Sequence, residues 1–127
     1  MNQKKNVAVV GAGLAGSEAA WQLAERGHKV KLFEMRPIRM TPAHKTGECA
    51  ELVCSNSFKS RSLENAHGLL KSEMALQKSM ILETGEKFSV PAGKALAIDR
   101  ELFARSVSEK LKNHPLISFC NIEVTNF

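Results

Sequence analysis

The spacing of apolar residues switches between two periods along this chain, and each switch marks an element. Val7-Ala8-Val9-Val10 is an unbroken apolar run rich in β-branched residues, which predicts a buried parallel strand over 6–11. Residues 14–26 carry Ala15, Ala19 and Leu23 at spacings of four, which predicts a helix with that stripe turned inward. Gly27 fits a left-handed cap for it, and Trp21 is expected to face away from the sheet. Residues 29–34 predict a second strand. From Met35 to about Ser62 neither period persists, although Met40, Cys49, Leu52, Val53, Cys54 and Phe58 could be buried. Long irregular segments inside compact domains are commonly functional, so 35–62 is expected to cover a ligand. Leu63, Ala66, Leu70, Met74, Gln77 and Ile81 then predict one amphipathic helix over 64–82. Val90-Pro91-Ala92-Gly93 reads as a turn and 95–98 as a strand. Asp99 reads as the N-cap of a helix over 100–112, and 116–119 and 122–124 as strands.

Strand and helix alternating in this order open an α/β domain with a parallel sheet, which needs cover on both faces. The 127 residues are therefore expected to be the N-terminal part of a larger protein, forming one incomplete domain over 1–127. A hydrophobic content of 43% with 24% charged residues is that of a soluble protein, and no apolar run reaches the length of a membrane span. The basic N-terminus leads into glycines rather than a signal-peptide core, so a cytoplasmic address and no membrane partner are expected. Net charge is +5, with the excess in the first sixty residues, which is compatible with a phosphate-bearing ligand or a nucleic acid. Cys49, Cys54 and Cys120 lack paired C-x-x-C spacing, so neither a disulfide framework nor a metal site is indicated.

The most specific chemistry lies between the first two strands. Gly11-Ala12-Gly13-Leu14-Ala15-Gly16 is a G-x-G-x-x-G turn entering a helix, and Glu34 ends the next strand 18 residues later. The first glycine permits the tight turn, the second lets backbone approach a pyrophosphate, and the third lets helix pack on strand. The helix start offers unpaired N–H groups and a positive dipole end, while a carboxylate at the second strand's end can accept from ribose hydroxyls. The expected fold is thus a Rossmann-like FAD/NAD(P)-binding domain.

Further blocks narrow the family. Gly11 to Ala24 is followed by Glu34-Met35-Arg36-Pro37, by Thr41-Pro42-Ala43-His44-Lys45-Thr46, and by Ala50-Glu51-Leu52-Val53-Cys54-Ser55-Asn56-Ser57. Gly68-Leu69-Leu70-Lys71 with Glu73-Met74, and the stretch from Val90 to Arg100, extend the match. Together they resemble the folate- and flavin-dependent tRNA (uracil-5-)-methyltransferases, the TrmFO family, whose members are several times longer. The resemblance implies FAD as resident cofactor, NADH or NADPH as reductant, and methylenetetrahydrofolate as one-carbon donor. It also implies carbon 5 of the T-loop uridine in tRNA as acceptor. By the same resemblance Gly11, Ala12, Gly13, Leu14, Ala15 and Gly16 hold the FAD pyrophosphate and Glu34 the adenosine ribose. Met35 and Arg36 stand beside it.

Cys54 aligns with a cysteine implicated in catalysis, and a thiolate is a competent nucleophile toward an electrophilic carbon or a uracil ring. On the residues alone a buried inert thiol is the alternative, and Cys49 and Cys120 are read that way. Ser55 and Asn56 suit flavin ring edges, though turn formation explains them equally well. Arg36 could meet a phosphate, stack on adenine, or be a solvated charge. His44 and Lys45 are expected at the surface, with contact to folate or tRNA as the alternative, and Arg100 and Glu101 are expected as exposed helix residues. Three other readings stay open. The chain could belong to a flavoprotein of the glucose-inhibited-division type, acting on the wobble uridine. It could be a flavin or nicotinamide oxidoreductase without tRNA, or a fragment that binds without turnover. The resemblance implies a second catalytic cysteine beyond residue 127, so these residues alone are expected to be inactive.

Overall fold

The computed structural model describes residues 3–126. In chain order the elements are β1 (Asn6–Val10), α1 (Leu14–Glu25), β2 (Lys29–Phe33), β3 (Ser57–Ser60), α2 (Ala66–Leu76), α3 (Met80–Lys87), β4 (Ser89–Val90), β5 (Ala95–Ile98), α4 (Arg100–Asn113) and β6 (Ile117–Cys120). They form two small sheets. β1, β2 and β6 are parallel with β2 in the middle, and β3, β5 and β4 form an antiparallel sheet with β5 in the middle. Val30 and Leu32 of β2 and Ile117 of β6 are buried in one core with Phe103, Val107 and Leu111 of α4. Leu96 and Ile98 of β5 and Met80, Ile81 and Leu82 of α3 join that core, so the second sheet is packed onto the first through helices. Phe58 of β3 meets Phe103 edge to face at a centroid distance of 5.7 Å.

Several elements depart from the sequence pattern, two of them for a visible reason. The helix expected over 64–82 is two helices. Lys78 takes a left-handed backbone (φ 56°) and the Ser79 hydroxyl accepts from the Leu82 amide, which starts α3 afresh. α2 docks through Gly68, where a Cβ would lie 1.8 Å from the Ser62 carbonyl oxygen, and the expected stripe residue Leu70 is 54% exposed. In α1 the buried residues are Ser17, Ala20 and Ala24; of the expected stripe Leu23 packs half-buried on the core, while Ala15 and Ala19 are exposed. The reason is a polar one: the Ser17 hydroxyl donates to the Ala12 carbonyl at 3.1 Å, which turns position 17 inward. β1 is less covered than a buried parallel strand should be, with Ala8 and Val10 exposed. The irregular segment contains β3, and residues 122–124 form no strand. The Gly27 turn and the Asp99 cap are as expected: Gly27 has φ 84°, and the Leu102 amide donates to Asp99. Trp21 is half-buried with its ring edge to face against His114.

Glu18 ties the two halves together. Its carboxylate, on the outer side of α1, accepts from the Ser79 hydroxyl at 2.7 Å and from the Met80 and Ile81 amides at 3.0 and 2.9 Å. These are orphan donors at the start of α3, so a side chain from one helix caps another. Burial alone would raise the Glu18 pKa, but the bonds from Ser79, Gln22, Ile81 and Met80 outweigh it and hold the carboxyl below its ordinary value. The folded value lies below the unfolded one. The stabilisation is therefore fully present above the unfolded carboxylate range and fades as pH falls through the folded value. Glu18→Ala is expected to lower the unfolding free energy by about 1–3 kcal/mol at neutral pH. Urea unfolding at stepped pH should show the difference from wild type shrinking on the acid side.

Candidate functional site

At the carboxyl ends of β1 and β2 the chain turns through Gly11, whose φ of 93° an L side chain rarely adopts. Its amide donates to the Phe33 carbonyl at 2.7 Å, which fixes the turn against β2. α1 then packs so tightly on this turn that a Cβ at Gly16 would lie 1.8 Å from the Gly11 carbonyl oxygen. Gly13 is the N-cap and provides no side-chain cap. The amides of Leu14, Ala15 and Gly16, in the first turn of the helix, have no intrahelical acceptor. A Cβ built at Gly11 or Gly13 would meet nothing within 4 Å, so the turn faces open space rather than its own protein. That space continues as a cavity of ≈ 340 Å³ bordered by Gly11, Gly13, Glu34, Met35, Arg36 and His44.

Ala12, at the centre of the turn, is fully buried and its peptide groups are held from two sides. Its amide donates to Glu34 Oε2 at 2.9 Å. Its carbonyl accepts from the Ser17 hydroxyl and from the Ala50 amide at 2.8 Å. Glu34 is itself locked. Oε1 accepts from the Arg36 amide and Nε, both at 3.0 Å, and Oε2 accepts from Arg36 Nη2 at 3.2 Å as well as from Ala12. Four donors thus meet a group with about four lone-pair sites, and a ribose hydroxyl that bound Glu34 would share or replace one of them. Burial pushes the Glu34 pKa up, and the hydrogen bonds and charge of Arg36 with the Ala12 amide more than reverse this, leaving it below its ordinary value.

Arg36 is neither a solvated charge nor stacked at the cavity mouth. It is 2% exposed, and its Nη1 donates to the Thr46 carbonyl at 3.1 Å and reaches Glu51 Oε2 at 3.5 Å. Glu51 in turn accepts from the Lys45 and Thr46 amides at 2.9–3.2 Å. This places the expected covering segment in contact with the glycine turn, through Ala50–Ala12 and through Glu51–Arg36–Glu34. Cys49 and Ala50 are fully buried and Leu52 nearly so, while Val53, Cys54 and Ser55 are exposed. Cys49 donates its amide to Ser108 Oγ at 2.7 Å, and burial pushes its thiol pKa up, as suits an inert thiol. Cys120 is half-buried within β6, and all three thiols are free.

Cys54 does not border the cavity at the glycine turn. Ser55 Oγ accepts from the Ser57 amide at 3.1 Å, a local turn. The Asn56 side-chain amide donates to the Ile98 carbonyl at 3.2 Å, and the Ile98 amide donates to the Asn56 carbonyl. Both polar residues are therefore engaged in holding backbone. Lys45, Arg100 and Glu101 are exposed as expected, whereas His44 is half-buried with its Nδ1 against the Thr41 hydroxyl. Sequence reasoning missed Glu51 and Asn121. Asn121 Nδ2 donates to the Arg36 carbonyl at 2.6 Å from beyond β6. Only the buried neighbours of Glu51 (Cys49, Ala50 and Leu52) hinted at its role. Asn121 carried no signal.

The parallel strands, the glycine turn and the side-chain-free cradle define a Rossmann-like dinucleotide-binding unit. A family model described as Glucose inhibited division protein A matches residues 6–127, and the chain belongs to that family. It is 60% identical over 121 residues to Methylenetetrahydrofolate--tRNA-(uracil-5-)-methyltransferase TrmFO of Pelotomaculum thermopropionicum, covering 95% of this chain and 28% of that protein. The protein of the same name from Bacillus subtilis is 59% identical over 125 residues, covering 98% of this chain and again 28% of the relative. The chain thus spans a little over a quarter of the length of these relatives. Among solved structures, GidA of Aquifex aeolicus shares the fold, with a TM-score of 0.69 over 95% of this chain and 21% of its own, at 17% identity.

Arg36→Met should destabilise the protein by about 3–5 kcal/mol, because it leaves Glu34 buried without its cation. Adding Glu34→Gln should recover part of that loss. Denaturant unfolding of the two single variants and the double variant checks both statements.

Proposed function

We propose that this chain is the cofactor-binding portion of a TrmFO-type enzyme, in which it holds FAD. The observation that carries the reading is the cradle: glycines at 11 and 13 leave open space where two phosphates would meet the start of α1. In this reading the amides of Leu14, Ala15 and Gly16 bind the pyrophosphate. Ala12 sets the backbone of the turn, and Glu34 with Met35 and Arg36 borders the adenosine end. A bound flavin would supply electron and one-carbon transfer, and the protein's part is binding, orientation and electrostatics.

The whole protein would draw electrons from NADH or NADPH and take its one-carbon unit from methylenetetrahydrofolate. It would deliver that unit to carbon 5 of a tRNA uridine. Support comes from relatives of that name at 56–60% identity and from the E-M-R-P and A-E-L-V-C-S-N-S blocks. Cys54 is the proposed nucleophile, since it is the exposed thiol of the three and stands within the second block. Residues 1–127 are then an incomplete FAD-binding domain, with 35–62 as its covering segment and the rest of the catalytic surface supplied by further polypeptide. A cytoplasmic location follows from a tRNA substrate. Among the described residues no helix is long and apolar enough to cross a membrane.

Gly13→Val separates cofactor binding from folding. Gly13 has an extended backbone that valine adopts readily, and its Cβ direction is empty. Compared without FAD, the full-length variant is expected to melt within a few degrees of the parent, and it is expected to lose FAD affinity by about 100-fold or more, ~3 kcal/mol. Retention of stoichiometric flavin by that variant would overturn the cradle assignment. Cys54→Ala in the same protein should abolish uridine methylation while leaving flavin content intact.

A further inference from the structure

We infer that Glu51 and Asn56 are positioning residues that fix Cys54 in space, one anchor on each side of it. The inference rests on the reading of Cys54 as the nucleophile, but the geometry behind it is independent of that reading. Of residues 49–56, only Val53, Cys54 and Ser55 are exposed. Before them the chain is pinned three times. Cys49 donates to Ser108 on α4, Ala50 to Ala12 in the glycine turn, and the Glu51 carboxylate accepts from Lys45, Thr46 and Arg36. Ala50 is held there in a left-handed conformation (φ 53°), an arrangement that alanine adopts only when its surroundings impose it. After them, Asn56 is clamped to Ile98 of β5 by a backbone bond and a side-chain bond.

A three-residue excursion between two fixed points has little freedom, since the backbone allows only two soft dihedrals per residue. The thiol is presented to solvent on a short, braced arch rather than on a mobile loop. The two anchors belong to different bodies: Glu51 leads through Arg36 to the glycine turn, and Asn56 to the antiparallel sheet. Cys54 is thereby held at a set position relative to both. A nucleophile needs this, because a misplacement of about 1 Å can cost on the order of 100-fold in rate.

The test uses the full-length holoenzyme with a nitroxide label on Cys54, every other cysteine being replaced by alanine. Label motion is compared for the parent, Glu51→Ala and Asn56→Ala, and the unlabelled single variants are assayed for tRNA methylation. Both variants are expected to retain flavin, to give a clearly more mobile label, and to lose about 10-fold or more in kcat with KM for tRNA within about twofold. Glu51→Gln and Asn56→Gln, which keep part of each hydrogen-bond set, should lie between parent and alanine variants in both readouts. Unchanged label motion in both alanine variants would overturn the inference, as would unchanged kcat. Full activity of Cys54→Ala would instead remove the nucleophile assignment while leaving the label measurement to decide the bracing.

Discussion

The rest of the structure depends on how the two peptide groups of one residue are held. Ala12 sits at the apex of the glycine turn, its amide taken by Glu34 and its carbonyl shared by Ser17 and Ala50. Because these three partners come from β2's end, α1 and the segment 35–62, a single buried residue joins the three pieces that surround the cradle. The glycines at 11 and 16 allow that geometry, but they do not enforce it. The hydrogen bonds do, and buried polar groups without such partners would carry a large desolvation cost. The turn is therefore rigid before any ligand arrives, which is what preorganised phosphate recognition requires.

A second tie has the same character at longer range. Glu18 follows the turn by two residues and caps α3 across some sixty residues of sequence. α1 thus serves the cradle at its first turn and the antiparallel sheet's supporting helix along its side. This explains why its outer face is not simply solvated, and why Ala15 and Ala19, which look like core by spacing, instead border a groove with Phe58, Leu70 and Met74. The stripe at 17, 20 and 24 turns inward because the Ser17–Ala12 hydrogen bond and the close approach of Gly16 to the Gly11 carbonyl together fix the rotation of the helix.

Much of this was legible in the sequence where local rules and global fold agree. The first strand, the turn, α1, β2, the Asp99 cap and α4 all follow from short-range patterns, and Glu34 stands where a second strand should end in an acid. What was not legible depends on partners distant in sequence. The break at Lys78–Ser79 is invisible to periodicity because the apolar pattern runs through it, and its cap comes from Glu18. Arg36 looks like a surface cation until Glu34, Thr46 and Glu51 are seen around it. The role of Asn121 rests on a contact 85 residues back along the chain. At the site, the glycine pattern located the cradle, whereas the bracing of Cys54 needed coordinates, since the block that contains Glu51 and Asn56 does not show which distant groups they bond.

The pairing of Glu34 with Arg36 has an electrostatic consequence for whatever enters the cavity. A bare carboxylate at the end of β2 would repel a diphosphate, and in a low-dielectric crevice that repulsion would be felt over several ångströms. Here the guanidinium neutralises much of that charge at its source, although it is shared with Glu51 on its far side, so the attraction of the helix start for anions is opposed less than a bare acid would oppose it. The acid can thus shape the backbone with less opposition to the ligand. The chain keeps a carboxylate beside the start of α1 by setting a buried counter-charge directly against it.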